Sequence, residues 1–206
     1  GMWSKVWIAS LLKKNKNITC IDLGIAMDPI FFGKTREPQA SKDDLLAFYK
    51  DLLVENTILD RLAYKYKTDK TPLLSHGYTK FYHEIFKDKR NEVKKILEIG
   101  IGDIQIMKYE GYVTGASVFM WRDYFPNAEI YACDIRRSQM IEGEKRIHTY
   151  EIDQSQSSQL FYLIDQTRGE FDLILDDGSH ITDHQIISAR ALIPFVKKGG
   201  YYIIED

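Results

Sequence analysis

Two segments of the chain place acidic side chains directly after apolar runs. Residues 171–184 read FDLILDDGSHITDH, so that Asp177 and His180 follow a short apolar stretch, and the last residues, GGYYIIED, end in Glu205 and Asp206. Short apolar runs of this kind, rich in Ile, Leu and Tyr, predict buried strands. Carboxylates beside an imidazole can hold a divalent cation and transfer a proton. We therefore predict that the two strand ends form one site.

Strand patterns alternate with helix patterns from residue 94 onward. This alternation is typical of an α/β fold with a doubly wound parallel sheet, a Rossmann-like architecture. Sheets of this class bind ligands in the crevice at the carboxyl ends of their strands, which is where the acidic pairs lie. The predicted strands read KKILEIGI, AEIYACDI, RIHTYEID, FDLILDD and GGYYIIED, and the predicted helices cover residues 117–124, 157–167 and 182–196.

The first three of these strands end in residues suited to an adenosine-type cofactor. The first leads into EIGIGD, whose glycines would let a ligand approach the backbone closely. The second ends in an acid that can bind ribose hydroxyls, and the third ends in Asp-Gln, a place suited to an adenine amine. Each acid alone is more often a helix cap or a loop residue, but three at successive strand ends favour a cofactor site. The predicted contacts are Glu98, Gly100, Gly102, Asp134, Asp153 and Gln154.

This series resembles the class I S-adenosylmethionine-dependent methyltransferases. Three stretches are more specific: YKTDKTPLLSHGYTKFYHEIF, YEGYVTGASVFMWRDYFPNAEIYACDI, and LDDGSH with the terminal IIED. They resemble the metal-dependent sugar O-methyltransferases of macrolide-antibiotic biosynthesis, of the mycinamicin type, over about residues 62–206. The chain departs from the class I pattern after Gly102, where Asp103 and Ile104 stand in place of a third glycine.

The resemblance implies a metal and a base. By analogy with that family, Asp177, Glu205 and Asp206 hold Mg²⁺, and His180 is the general base. A sugar hydroxyl is a poor nucleophile at neutral pH. A metal ion lowers its pKa, and an imidazole removes its proton as the oxygen attacks the sulfonium methyl. The implied cofactors are S-adenosylmethionine and a divalent cation, and the implied acceptor is a sugar or a glycosylated small molecule.

The resemblance also implies that residues 57–93 form a helical lid over the cofactor. In this lid, Tyr66 and Thr68 lie near the methionine end of the cofactor, together with Asp69 and Lys70. Two further contacts are expected outside the lid. Ser117 is one of them, and Asp176 either touches the cofactor or caps the loop after its strand.

Several other interpretations fit parts of the sequence. DDGSH alone could be an Asx-type turn with a helix cap. A zinc site built from the histidines lacks a cysteine or a close spacing pattern, and His184 is better interpreted as a surface or supporting residue. A nucleotide-sugar oxidoreductase on the same fold would need the third glycine and a Tyr-x-x-x-Lys pair. A cofactor-binding remnant without catalysis is the non-enzymatic alternative.

The bulk composition limits the partners and the compartment. The 206 residues include 28 basic and 30 acidic side chains, for a net charge of −2, without the basic stripe that nucleic-acid binding requires. No apolar run reaches the roughly 18 residues of a membrane span. The two cysteines, Cys20 and Cys133, lie in apolar runs and indicate buried thiols rather than a disulfide framework. We therefore expect a cytoplasmic protein that binds neither nucleic acid nor membranes.

The N-terminal residues 1–56 lie outside the methyltransferase likeness, and residues 94–206 form its expected core. Helices over residues 4–14 and from an N-cap at Ser41, with a strand over 17–25, suggest the remnant of another α/β domain. Class I methyltransferases normally add two more strands after the fifth. We therefore expect the natural chain to continue past Asp206, and the metal to bind weakly at this terminus. Without those strands, the last one has an open edge. This edge should either pair two copies of the chain or be covered by residues 18–25.

Overall fold

A six-stranded parallel sheet forms the centre of the protein in a computed structural model that describes residues 19–22, 57–71, 77–107 and 111–205. Its spatial order is β1-β6-β5-β2-β3-β4, and every neighbouring pair is parallel. The order reverses between β2 and β5, and sheets of this class bind ligands at such a switch point. The doubly wound α/β prediction is confirmed. The strands are β1 Thr19–Asp22, β2 Lys95–Ile99, β3 Glu129–Asp134, β4 Ile147–Glu151, β5 Phe171–Asp176 and β6 Val196–Ile204.

Helices cover both faces of the sheet. The first begins at a capping box, in which Thr57 and Asp60 each bond to the other's backbone N–H. The predicted helix over 182–196 is too long, because the α-helix ends at Leu192 and a 3₁₀ turn containing Pro194 follows. The helices are α1 Ile58–Tyr66, α2 Tyr78–Phe86, α3 Ile104–Met107, α4 Ala116–Tyr124, α5 Ser157–Thr167 and α6 Thr182–Leu192, with 3₁₀ turns at Arg137–Gln139 and Ile193–Phe195.

Two hydrophobic layers hold the helices on the sheet. Because successive side chains of a strand point to opposite faces, each central strand contributes to both layers. In β5, Leu173 and Leu175 face the layer built with α1, α2 and α4, whereas Ile174 faces the layer built with α5 and α6. The first layer is rich in aromatic side chains, including Trp121 and Tyr82. Their rings pack edge to face, with the ring centroids 5.0 Å apart.

The open edge predicted at the last strand is covered by the N-terminal segment. Strand β1 runs parallel to β6, with Thr19 opposite Tyr201 and Asp22 opposite Ile204. This confirms that a strand within residues 18–25 covers the edge. The predicted helices over 4–14 and after Ser41 lie outside the described residues. None of the described helices is long and apolar enough to cross a membrane.

Candidate active site

A cavity of about 420 Å³ opens at the carboxyl ends of β2, β3 and β5. Its position is the switch point of the sheet, where the connections after these strands diverge. The predicted base, His180, and one predicted metal ligand, Asp177, lie in its wall. Most of the predicted cofactor contacts line the same space, namely Thr68, Gly100, Gly102, Ser117, Asp134, Asp153 and Gln154.

The glycines after β2 allow the walls of this cavity to approach one another. Gly100 has a φ of +94°, and a Cβ there would lie 2.0 Å from the carbonyl oxygen of Asp177. A Cβ on Gly102 would lie 2.0 Å from the hydroxyl oxygen of Tyr112. Tyr112 is buried and lines the cavity, although no role was predicted for it beyond the general likeness of its segment.

Asp134 and Asp153 each combine a capping role with a place in the cavity wall. Asp134 accepts hydrogen bonds from the backbone N–H groups of Ile101 at 3.0 Å and Arg136 at 3.1 Å, and so fastens the glycine loop to β3. Asp153 accepts from the backbone N–H of Ser155 at 2.9 Å. Hydrogen bonds from Ser155 hold the pKa of Asp153 below its usual value, so this carboxyl is ionised at neutral pH.

Three of the predicted cofactor contacts lie away from the cavity. The hydroxyl of Tyr66 donates to Asp123 at 2.5 Å instead. Glu98 is fully buried and accepts from the indole N–H of Trp121 at 3.2 Å. Asp176 is buried and accepts hydrogen bonds from the amide of Gln154 at 3.0 Å and the hydroxyl of Tyr202 at 3.1 Å. Because strand residues alternate between faces, a position at a strand end does not by itself place a side chain in the crevice.

Gln154 positions the loop that follows β5. Its amide nitrogen donates to Asp176 and to Ser188, each at 3.0 Å, and its amide oxygen accepts from the backbone N–H of Ser179 at 2.7 Å. A Cβ on Gly178 would lie 2.0 Å from this oxygen. The amide that the sequence assigned to adenine recognition is therefore engaged in holding the segment between Asp177 and His180.

A buried lysine joins the two strand ends. The Nζ atom of Lys70 lies 2.5 Å from Asp177 Oδ2, 2.5 Å from Glu205 Oε2 and 3.7 Å from Glu98 Oε1. The side chain of Lys70 is 1% exposed, and the hydroxyl of Tyr82 donates to the other oxygen of Glu205. Asp177 and Glu205, which the sequence predicted to meet, do meet. The lysine between them was expected only near the cofactor.

Three carboxyl groups of this cluster surround a single lysine ammonium. Burial raises the pKa of Glu98 to about 7 and that of Glu205 to about 8, in spite of the nearby ammonium of Lys70, and the charge of Asp177 adds to both shifts. Glu98 Oε2 is buried and has no hydrogen-bond partner. Carboxyl oxygens grouped in this way are the donor type that a hard divalent cation prefers.

The third predicted metal ligand, Asp206, lies outside the described residues. Within the described ranges, no group of three or more His, Cys, Asp or Glu side chains is arranged to hold a metal ion. The described part of the site therefore supplies two of the three predicted ligands, Asp177 and Glu205, and they fit the cation by charge and by donor type.

The ring of His180 is held in one orientation. Its Nδ1 lies 3.2 Å from the carbonyl oxygen of Glu205, which can only accept, so Nδ1 carries the hydrogen. The other nitrogen, Nε2, is then the basic one, and it lies 3.6 Å from Asp177 Oδ1. His180 has a left-handed backbone with a φ of +55°, a strained conformation of the kind that clusters at functional sites.

Among the described residues, His83 and His184 do not form a metal site with His180. His184 also lines the cavity, and its Nδ1 lies 2.9 Å from the hydroxyl of Ser179. His83 lies on α2 instead, where its ring contacts the hydroxyl of Tyr124 at 3.0 Å. His76 lies outside the described residues.

The buried Glu98 predicts a pH-dependent stability in the absence of metal. The folded state raises its pKa from an ordinary 4.5 to about 7, so the folded protein binds this proton more tightly, and stability is lost as the pH rises through that interval. A tenfold change in proton affinity is worth about 1.4 kcal/mol, so the loss amounts to roughly 3 kcal/mol. We expect Glu98→Gln to flatten this fall. Urea unfolding in EDTA at about pH 5 and about pH 8 measures it.

The matched control for this experiment is Glu151→Gln, which removes an exposed carboxylate from β4. It should leave the difference in unfolding free energy between the two pH values close to that of the parent chain. Equal falls in the parent and in Glu98→Gln would show that the buried carboxyl does not bind its proton as the structure indicates.

Comparison with known proteins shows that the chain is similar to several O-methyltransferases. No protein-family model matches it. It is 38% identical over 148 residues to mycinamicin VI 2''-O-methyltransferase of Micromonospora griseorubida, covering 72% of this chain and 35% of that protein. It is 40% identical over 148 residues to demethylmacrocin O-methyltransferase of Streptomyces fradiae, covering 72% and 36%. The chain thus spans about a third of the length of these curated relatives.

Solved structures agree with this relationship. The methyltransferase MycE of the mycinamycin biosynthetic pathway, in complex with Mg and SAH, matches 85% of this chain and 53% of its own, with 32% identity and a TM-score of 0.63. Its complex with Mg, SAH and mycinamycin VI matches 84% of this chain and 50% of its own, with 30% identity and a TM-score of 0.62. The resemblance noted in the sequence and the Rossmann-like methyltransferase fold are both confirmed.

Proposed function

We propose that this chain carries the cofactor-binding and metal-binding centre of an S-adenosylmethionine-dependent, divalent-metal-assisted O-methyltransferase acting on a sugar or a glycosylated small molecule. The observation that carries the proposal is one shared cavity. Gly100 and Asp134, suited to an adenosine-type cofactor, line it together with Asp177 and His180. A methyl donor bound there would lie in the same space as the base. Relatives whose names contain rhamnosyl or olivosyl groups support the proposed acceptor class.

Several residues of this chain would hold the methyl donor. The cavity, at about 420 Å³, is in the size range of small-molecule sites. Asp134 would bind the ribose hydroxyls, and the bare backbone at Gly100 and Gly102 would allow close approach. The lid contributes Thr68 and Asp69, which line the same cavity.

The magnesium ion would be held by Asp177, Glu205 and Asp206, and when bound it would lower the pKa of the acceptor hydroxyl. Asp177 and Glu205 are already close to each other, because both contact Lys70 at 2.5 Å. Their oxygens are the donor type that magnesium prefers.

His180 would carry the proton. Its Nδ1–H is fixed on the carbonyl of Glu205, so Nε2 would take the hydroxyl proton as the acceptor oxygen bonds to the methyl carbon. The carbon–sulfur bond breaks in the same step, and its electrons return to sulfur to give S-adenosylhomocysteine. Asp177, with Oδ1 at 3.6 Å, would stabilise the resulting imidazolium.

Calorimetry with S-adenosylhomocysteine, with and without Mg²⁺, tests the proposal. We expect binding of the nucleoside and a further heat from the metal. If S-adenosylhomocysteine binds without any response to Mg²⁺, and the protein transfers no methyl group, a cofactor-binding remnant would be favoured. Binding of a nicotinamide dinucleotide in its place would favour an oxidoreductase.

Asp134→Ala should weaken the binding of S-adenosylhomocysteine. A hydrogen bond to a charged group is worth roughly 1.5–3 kcal/mol, which corresponds to about a ten- to hundredfold rise in Kd. Since Asp134 also fastens the glycine loop, Asp134→Asn is a useful partner variant. It keeps one acceptor for the N–H of Ile101, and we expect an intermediate Kd.

Asp165→Ala, which removes an exposed aspartate on α5, is the control for this series. It should bind S-adenosylhomocysteine as the parent chain does. An unchanged Kd in Asp134→Ala would count against the ribose assignment.

An unpaired cysteine among the described residues suits a reducing compartment, and we propose that the protein works in the cytoplasm. Cys133 is a free thiol buried in β3, where burial raises its pKa far above the usual value. Such a thiol is protonated and unreactive at neutral pH.

A further inference from the structure

A cation of the protein itself already occupies the centre of the proposed metal site. The ammonium of Lys70 contacts Asp177 and Glu205 at 2.5 Å, and these residues are the described metal ligands of the proposed function. Lys70 is as buried as the core residues around it. A lysine is almost never fully buried unless it is paired, and here its pairing partners are the proposed ligands.

We infer that Lys70 is the resident counter-ion of this carboxylate cluster, and that it lowers the affinity of the cluster for a divalent cation. The inference rests on the proposed function and deepens it. The ammonium and the metal ion would draw on the same carboxylates, and two cations held against one pair of carboxylates repel each other. In return, the lysine offsets the repulsion among Glu98, Asp177 and Glu205 in the absence of metal.

The position of Lys70 is fixed on several sides. Its backbone carbonyl accepts from the N–H of Thr79 at 3.2 Å, and its own N–H donates to the hydroxyl of Thr68 at 3.4 Å. The ammonium is therefore held in place from both ends of the residue, by these backbone hydrogen bonds and by the carboxyl groups of Asp177 and Glu205 around Nζ.

The same contacts connect the lid to the base. Thr68 and Asp69 line the cofactor cavity within two residues of Lys70, and Asp177 presents its other oxygen toward His180. Lys70 is thus a positioning residue that acts through Asp177. Replacing Lys70 should therefore change the affinity of the site for metal, whereas replacing a purely structural lysine should leave that affinity unchanged.

Binding of Mn²⁺ to this chain, followed by electron paramagnetic resonance, tests the inference. Lys70→Gln keeps hydrogen-bonding capacity but removes the charge. We expect this variant to bind Mn²⁺ at least about tenfold more tightly than the parent chain. Tenfold is the smallest change that one neighbouring charge typically makes to the proton affinity of a carboxylate. Lys70→Arg should keep the parent affinity. Lys197→Met removes a lysine paired with Asp172 elsewhere in the fold, and is the matched control.

The outcomes separate the inference from the proposed function. Equal or weaker Mn²⁺ binding by Lys70→Gln than by the parent chain overturns the inference and leaves the proposed function standing. Mn²⁺ binding by neither protein overturns the inference and the metal assistance together. If Lys70→Gln does not fold in EDTA, recovery of folded protein on adding Mn²⁺ supports the inference. Failure to recover overturns it.

Discussion

Replacing His180 by alanine is expected to lower the rate of methyl transfer by about 10²–10⁴-fold, the usual contribution of a positioned general base. The structure gives the reason, because Nδ1–H is bonded to the carbonyl of Glu205 and leaves Nε2 as the only basic nitrogen of the ring. The Kd of S-adenosylhomocysteine should change little, since the imidazole acts on the acceptor. Initial rates in the full-length chain with a glycosylated acceptor measure the effect.

The pH profile distinguishes a lost base from a disturbed loop. The general base contributes a pH dependence to the rate of the parent enzyme, and His180→Ala should lose that contribution. His148→Ala, which removes an exposed histidine paired with Glu129 on the edge of the sheet, is the control. A full rate across the pH range in His180→Ala would assign the base to another residue. A larger loss in His184→Ala would move it to that neighbour.

Much of the fold could be predicted because the strands and helices carry strong local patterns. The helix predicted over 157–167 is observed as Ser157–Thr167, since its apolar positions repeat at helical spacing. The helix over 182–196 was predicted too long, because its apolar pattern continues through the proline turn that ends it. The covering of the sheet edge by β1 followed from the general cost of an open edge rather than from any pairing signal.

The site was predictable in position but not in detail. The strand-end rule brought Asp177 and Glu205 together correctly. It could not separate Asp176 from Asp177, which are adjacent in sequence but have different surroundings: Asp176 is buried, whereas Asp177 lines the cavity. Lys70 lies 107 residues from Asp177 along the chain, and a single sequence contains no signal for so distant a contact.

Asp177→Asn should abolish the magnesium dependence of methyl transfer. The amide keeps the shape of the side chain but removes the charge that a hard cation requires, and metal stabilisation of this kind is worth several kcal/mol, or about 10³-fold in rate. The residual rate should equal that of the parent enzyme in EDTA. Initial rates of the full-length chain, measured against Mg²⁺ concentration, test this.

The physical basis of this effect lies in the buried cluster rather than in one bond. The charge of Asp177 helps to raise the pKa of both Glu98 and Glu205. Removing that charge lowers both pKa values, and Lys70 is then paired with the two glutamates only. The folded protein should therefore tolerate Asp177→Asn even though the metal does not bind. Asp183→Asn, an exposed aspartate at the start of α6, is the control and should keep the magnesium dependence. Full magnesium dependence in Asp177→Asn would place the cation elsewhere. The cluster around Lys70 would then have lost the charge of Asp177 without any effect on the binding of the metal.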